Sequence, residues 1–200
     1  MTGRPLAGEL PDMTNRRTLL ALLACALAGR ADASEAAGED ERRALAAWIN
    51  ALPFGTGSKV TMLEDKSWAY PGTGARELRL ALPQASDAVI EDFVRKNLVP
   101  VRLDIPWALL GPQVRLQVVD EATLDALRGA GDWWQRFYRA FPDAACLAQL
   151  SRIGMDAATG QAVLMSSIGA DVTRGLCVAW LLQRVDGTWK SVQSKAIGFS

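Results

Sequence analysis

Carboxylates are the side chains of this sequence best suited to acid–base chemistry, because it contains no histidine. Without histidine there is no Ser-His or Cys-His nucleophile pair, no His ligand for zinc and no side chain whose ordinary pKa lies near neutrality. Two adjacent acidic pairs remain as candidates, Glu64-Asp65 and Glu91-Asp92. Neighbouring side chains diverge on a strand or a helix, whereas paired catalytic carboxylates must face each other across a substrate. We interpret both pairs as solvated surface charges.

Sites for metals, phosphates and nucleic acids have no motif in this sequence. After residue 33 the only cysteines are Cys146 and Cys177, and no Asp-x-Asp-x-Asp-Gly calcium loop is present. The Gly-Thr-Gly steps at 55–57 and 72–74 lack the Lys-Ser/Thr that completes a phosphate-binding loop. Lys and Arg number 22 against 22 Asp and Glu, without a basic cluster that could neutralise a phosphate backbone. We expect no metal, no cofactor and no nucleic-acid partner.

Aromatic side chains at helical spacing provide the candidate ligand-binding residues. The segment 133–141 places five of them on one wide face: Trp133, Trp134, Phe137, Tyr138 and Phe141. The spacing predicts a helix that fills the core, and the alternative is an aromatic wall of a ligand pocket or a membrane-facing patch. Trp134 and Tyr138 are our candidate ligand-binding residues for that alternative. Arg152 is a third, as an anion-binding residue, although such an arginine more often pairs with an acid or an aromatic ring.

The N-terminal half of the chain predicts helices separated by short strands. Apolar residues of 45–52 recur at i, i+3, i+4 and i+7, which indicates an amphipathic helix that ends before Pro53. Residues 67–84 contain several prolines and glycines without a sustained period, so we predict an irregular connection there. The other elements predicted in this half are a strand at 58–66, a helix capped by Ser86, a strand at 114–119, a short helix capped by Asp120 and an aromatic helix that begins at Asp132.

The C-terminal part of the chain predicts four consecutive strands, at 147–155, 161–168, 175–185 and 189–199. Short polar connections join them, and the Asp186-Gly187 step is typical of a tight hairpin. The fold class we predict is α+β: a C-terminal four-stranded antiparallel meander packed against helices from the N-terminal half. We expect one domain over residues 42–200.

The first 33 residues have the pattern of an export signal. Arg16 and Arg17 precede an apolar run at 19–28, and the small-residue step Ala31-Asp32-Ala33 follows it. This order is typical of a secretory signal peptide, and the apolar run is too short to span a bilayer. We expect an exported, periplasmic protein with no transmembrane helix in the mature chain. The twin arginines leave the Sec and twin-arginine routes open.

The segments around this signal carry further expectations. Residues 1–12 precede a complete signal that begins at its own methionine, Met13, which favours an upstream-extended start. Residues 34–41 are acidic and rich in small residues, so we predict a flexible lead-in. An alternative to cleavage after Ala33 is a lipoprotein anchored at Cys25, because residues 22–25 have the form of a lipobox.

Several motifs of the C-terminal half together resemble a widespread family of uncharacterised exported bacterial proteins. They are Trp134-x-x-Phe137-Tyr138, Pro142, the segment LSRIGMD at 150–156, QAVL at 161–164 and Asp186-Gly187-x-Trp189-Lys190. The turn at 169–175 departs from the family pattern, which has a glycine-rich turn there. The resemblance implies export and a single α+β domain, and it supplies no catalytic residues.

Two classes of function are compatible with these observations. The sequence favours an exported non-catalytic domain that binds a small molecule or a protein of the bacterial envelope. The alternative is a histidine-free hydrolase of an envelope substrate that uses carboxylates or a serine. A deep polar cleft would favour the enzyme, whereas a filled core with shallow apolar surface would favour the binding domain.

Overall fold

The structure of the protein is a computed structural model that describes residues 38–52, 59–70, 74–128, 131–172 and 174–199. One compact unit spans Glu41–Ser200. The predicted signal peptide at 1–33, with its alternative lipid attachment at Cys25, lies outside the described residues. Of the predicted lead-in at 34–41, residues 38–41 are described and belong to a helix.

Five α-helices and seven strands are found within the described residues. The first helix, α1, is described from residue 38 to residue 51. The remaining helices are α2 (Gly74–Ala81), α3 (Asp87–Lys96), α4 (Glu121–Leu127) and α5 (Trp133–Ala140), with a 3₁₀ turn at Trp107–Leu109. The strands are β1 (Val60–Glu64), β2 (Leu116–Val119), β3 (Ala144–Leu150), β4 (Gly154–Asp156), β5 (Gln161–Asp171), β6 (Arg174–Val185) and β7 (Thr188–Phe199). No helix of the described residues is long and apolar enough to cross a membrane.

All strands form one mixed sheet in the order β2-β1-β3-β5-β6-β7, and β4 pairs with β5 in line with β3. The strands β1, β2 and β3 are parallel to one another, while β3 to β7 pair antiparallel. The α+β class is confirmed and the C-terminal strands β5, β6 and β7 are antiparallel as predicted, but the four-stranded meander is not exact. Its predicted first strand is two short strands broken at 151–153, and β1 and β2 extend the sheet beside it. Parallel strands need long crossovers, and pairing across such a separation leaves no local signal.

Side chains alternate between the two faces of the sheet, and each face packs against different helices. On one face Leu63, Ala148 and Leu164 pack against α1, in a cluster that contains the buried Trp48. On the other face Val163 and Leu181 pack against α2 and α3. The same face packs against α4 and α5 where it is formed by β1 and β3. This second face thus carries two separate helix pairs, with the middle of the sheet between them.

Helix α2 is absent from our prediction, which treats 67–84 as irregular. The helix is eight residues long and buries Leu78 completely, together with most of Ala81. Its sequence, GARELRLA, has good helix formers after Gly74, but it follows Pro71 and Gly72, whose helix-breaking tendency dominates a short window. Burial of two side chains against the sheet, rather than propensity, stabilises so short a helix.

The N-caps predicted at Ser86 and Asp120 are confirmed, and Asp132 caps α5 in the same way. Ser86, Asp120 and Asp132 each accept a hydrogen bond from the backbone N–H three residues later. Each cap therefore satisfies one of the orphan donors at its helix start, an effect worth about 1 kcal/mol. These caps set where the helices of the second face begin.

Cys146 and Cys177 are free in the structure. Cys177 packs with the cluster on the α2–α3 face, whereas Cys146 shares its orientation with Ala148, which packs toward α1. Strand β5 also lies between them. A disulfide between these two cysteines is incompatible with side chains on opposite faces of one sheet.

We expect Asn97→Ala to cost about 1–3 kcal/mol of unfolding free energy, because it leaves buried backbone groups without partners. Asn97 is fully buried; its Oδ1 accepts from Arg152 N–H at 2.7 Å and its Nδ2 donates to Phe93 O at 2.8 Å. Urea denaturation measures the loss. The control is Asn50→Ala, since Asn50 bridges Leu109 O and Gly111 N–H in a half-buried position that water can reach. Equal losses for both variants would contradict the role of burial.

Candidate functional site

A cleft of about 320 Å³ opens on the face of the sheet that carries the two helix pairs. Its lining residues come from the ends of β1 and α4, from the start of α5, and from β3 and β5: Glu64, Arg128, Trp133, Trp134, Leu147, Gln149, Ser167 and Gly169. Polar and apolar groups thus meet in one concave surface, which is the usual composition of a small-molecule site.

The floor of the cleft is a row of polar side chains across three neighbouring strands. Gln149 on β3 is directly opposite Ser167 on β5. On its other side Gln149 Nε2 donates to Glu64 Oε2 on β1 at 2.7 Å. The strand order places β3 between the other two strands, so Glu64, Gln149 and Ser167 lie side by side at one level of the sheet.

Arg128 closes the row at the α4 end and neutralises the carboxylate. Its Nη2 lies 3.2 Å from Glu64 Oε1, and its Nη1 lies 2.8 Å from Asp125 Oδ1. The Glu64 side chain is only 15% exposed, and burial raises its pKa above the ordinary value, against the opposing effects of Gln149 and Arg128. Both carboxylate oxygens are therefore engaged, and the ionised form carries a desolvation cost.

The side wall of the cleft consists of two indole rings from the first turn of α5. The centroids of Trp133 and Trp134 are 4.5 Å apart, with ring planes at 83°. Gly169 lets Trp134 approach the sheet, because a Cβ there would lie 3.1 Å from the Trp134 ring. The Trp133 indole Nε1 is buried and finds no acceptor among the described residues. A buried donor without a partner costs about 1–3 kcal/mol, unless a ligand or water supplies the acceptor.

Contrary to the prediction from its sequence, the aromatic helix α5 does not fill the core with all of its aromatic side chains. Of its aromatic side chains only Phe137 is fully buried, while Trp134 and Tyr138 are half-buried. Trp134 separates the first cleft from a second one of about 750 Å³, and it lines both. Tyr138 lines only the second, where its hydroxyl donates to Ala170 O at 2.8 Å.

The second cleft is lined by at least as many polar residues as the first, but its cations are already bound: Lys59 Nζ donates to Pro142 O, and Arg174 pairs with Asp171. The first cleft, in contrast, has a desolvated carboxylate on its floor. We therefore take the first cleft as the candidate site, which includes Trp134 and leaves out Tyr138.

Arg152 lines neither cleft. It lies between β3 and β4, where its backbone N–H and C=O are bound by the Asn97 side chain. Other residues of the same motif tie it to β5 and to α3. Ser151 Oγ accepts from Met165 N–H of β5, and Ser86 Oγ, at the N-cap of α3, donates to Asp156 Oδ2 at 2.7 Å. The structure therefore assigns a scaffold role to the Ser-Arg-x-Gly step.

The acidic pairs are not both solvated: only Glu91 is largely exposed, whereas the side chains of Glu64, Asp65 and Asp92 are 15%, 13% and 17% exposed. Glu64 points into the cleft, while Asp65 accepts from Glu121 N–H and lies 3.7 Å from Arg102. The alternation of side chains along the strands is the sequence signal for this floor. Gln149 occupies an inward position of the otherwise apolar strand β3, and Glu64 is the last residue of β1. The local sequence pattern could not predict their contact, because the two residues lie 85 positions apart.

The raised pKa of Glu64 predicts a pH-dependent stability difference between the protein and its Glu64→Gln variant. In the folded state the pKa is above the unfolded value of about 4.3, so the ionised carboxylate disfavours folding at neutral pH. That penalty falls as the pH drops through the folded-state pKa and is gone below the unfolded pKa. The unfolding free energy of the parent minus that of the variant should therefore increase as the pH is lowered from about 7 to about 4. Urea denaturation across this range tests the sign, and a constant or falling difference would contradict it.

No group of three or more His, Cys, Asp or Glu residues that could hold a metal ion occurs in the described part of the chain. Comparison of the chain with models of known protein families, with curated proteins and with solved structures finds no match. The resemblance to a family of exported bacterial proteins stays a prediction.

Proposed function

We propose that the protein is a non-catalytic, exported domain that binds a small molecule in the cleft between Glu64 and the Trp133–Trp134 wall. The observation that supports this most is the polar floor row beside two indoles. The buried Trp133 Nε1 without an acceptor among the described residues also favours an occupant. Export rests on the signal pattern of residues 1–33.

The geometry supports binding better than catalysis. Glu64 is the only carboxylate among the described residues that line the cleft, so within them the acid and base pair of a glycosidase has no second member. Both oxygens of Glu64 are engaged by Gln149 and Arg128, which suits an acceptor held in a fixed position. Such a group orients a ligand more readily than it transfers a proton.

A histidine-free hydrolase is the second candidate. The raised pKa of Glu64 is what favours it, together with Ser167 on the same floor. A carboxyl with a raised pKa is suited to general acid–base work. Turnover of an envelope-derived substrate that is lost in Glu64→Gln without loss of stability would replace the binding proposal.

The binding proposal is tested by NMR of the purified protein with a panel of neutral, cationic, anionic and aromatic fragments. The indole N–H signals of Trp133 and Trp134 should shift with at least one fragment. Ser167→Phe, which fills the floor, should abolish the shifts at an unchanged unfolding temperature. Ser167→Leu serves the same purpose should Ser167→Phe not fold, and Val192→Phe adds a phenyl ring on exposed β7 as a control. If no fragment class moves these indole signals, the proposal is wrong.

A further inference from the structure

The charged groups of the cleft restrict which ligands it can bind. Among the described residues that line it, only Glu64 and Arg128 are charged, and they pair with each other at 3.2 Å; Arg128 also lies 2.8 Å from Asp125, outside the lining. A cationic ligand would have to compete with Arg128 for the carboxylate, and an anionic ligand would have to compete with Glu64 and Asp125 for the guanidinium. An ion pair satisfied within the site therefore selects against a net charge on the ligand.

The floor nevertheless has hydrogen-bonding capacity left. Each carboxylate oxygen of Glu64 accepts one side-chain hydrogen bond in the structure and has a second lone pair. Gln149 Nε2 has a second N–H, and the Ser167 hydroxyl can both donate and accept. A purely apolar or flat aromatic ligand would desolvate this row without replacing its hydrogen bonds, which weakens its binding.

The side wall of the cleft is apolar, in contrast to the polar floor. The indoles of Trp133 and Trp134 and the side chain of Leu147 present apolar surface beside the polar floor. A fitting ligand must thus bring an apolar face to the rings and a line of groups that both donate and accept to the floor. A pyranose ring has both features, because its axial C–H groups form apolar patches and its hydroxyls form a polar edge.

From these observations we infer that the ligand is a neutral saccharide, with a pyranose ring stacked on the tryptophan wall and vicinal hydroxyls on Glu64, Gln149 and Ser167. This inference rests on the proposed binding function and specifies its ligand class. Glu64 then acts as an acceptor for sugar hydroxyls, and Arg128 holds it ionised and in place. The cleft volume of about 320 Å³ limits the bound portion to one or two sugar rings.

A matched set of ligands tests the charge rule. Glucose and N-acetylglucosamine are neutral, glucosamine is cationic and glucuronate is anionic, on nearly the same ring. At millimolar concentrations the two neutral sugars should shift the Trp133 and Trp134 indole signals, and cellobiose or N,N′-diacetylchitobiose should bind at least as tightly. Tighter binding of glucosamine or glucuronate would overturn the saccharide charge rule and leave the binding function intact.

Variants locate the site and separate contact from structural effects. Trp134→Leu should weaken the binding of the neutral sugar on the order of tenfold, whereas Trp107→Leu, at an exposed tryptophan outside the cleft, should not. Glu64→Gln should weaken it by a similar factor and improve glucuronate binding, because Arg128 loses one of its two carboxylate partners and keeps only Asp125. A merely structural role of Glu64 would not reverse the preference. If fragments bind the cleft but no saccharide does, this inference fails alone; if nothing binds, the proposed function fails with it.

Discussion

The Gly154→Ala variant should lose on the order of 3 kcal/mol of unfolding free energy, because strand β4 has no room for a methyl group at this position. A Cβ on Gly154 would lie 2.5 Å from Phe93 Cβ and 2.6 Å from Phe93 Cα and N. Two of those atoms are backbone of α3, so a side-chain rotation cannot relieve the overlap. Helix α3 must move away from the sheet, which disturbs the buried cluster around Val163. Urea denaturation measures the loss.

The matched control is Gly38→Ala, since a Cβ at Gly38 meets nothing within 4 Å. That variant should keep the stability of the parent, or gain slightly from the higher helix propensity of alanine. A Gly154→Ala protein that unfolds together with the parent would show that α3 can shift at little cost. The motif that contains Gly154 would then need an explanation other than close packing.

Phe137→Ala should cost about 3–5 kcal/mol, which is the range for removal of a fully buried aromatic ring. Phe137 has no exposed surface and packs with Met62, Val119 and Leu124 between α5 and the sheet. Its ring also stacks on that of Trp133, with centroids 5.2 Å apart and planes at 15°. The variant therefore loses both a core contact and the support of one cleft wall. Urea denaturation measures the stability, and the Trp133 indole signal reports the wall.

Phe141→Ala provides the comparison, because Phe141 is half-buried at the C-terminal end of the same helix. It should lose distinctly less free energy than Phe137→Ala, since part of its ring is already in water. If the two variants lose the same amount, burial does not distinguish these positions and the helix is not anchored through Phe137.

Residues that act locally were predictable from this sequence. The caps Ser86, Asp120 and Asp132 bond the backbone three residues on, and the Asp186-Gly187 step forms the tight turn between β6 and β7. Asp186 and Gly187 both have positive φ, at 52° and 76°, which is what such a two-residue turn requires. These interactions span a few residues, so residue types and spacing contain the information needed to predict them.

The aromatic helix shows where a local pattern stops being sufficient. Its spacing predicts five aromatic residues on one face, and the helix does form over Trp133–Ala140. Spacing alone does not tell which part of a wide face meets the sheet. The position of α5 over β1 and β3 buries Phe137 and leaves Trp133 and Trp134 beside open space. Tertiary packing thus separates core from cleft wall within one helix.

The sequence by itself determined the α+β class, most element positions and the residue types available for chemistry. Only the tertiary structure decided that β1 lies beside β3, which brings Glu64 to Gln149 across 85 positions of the chain. Parallel pairing through a crossover has no turn motif that specifies it, and it is selected by burial of the whole sheet. The same burial turns Glu64 from one acidic residue among many into a carboxylate with a raised pKa.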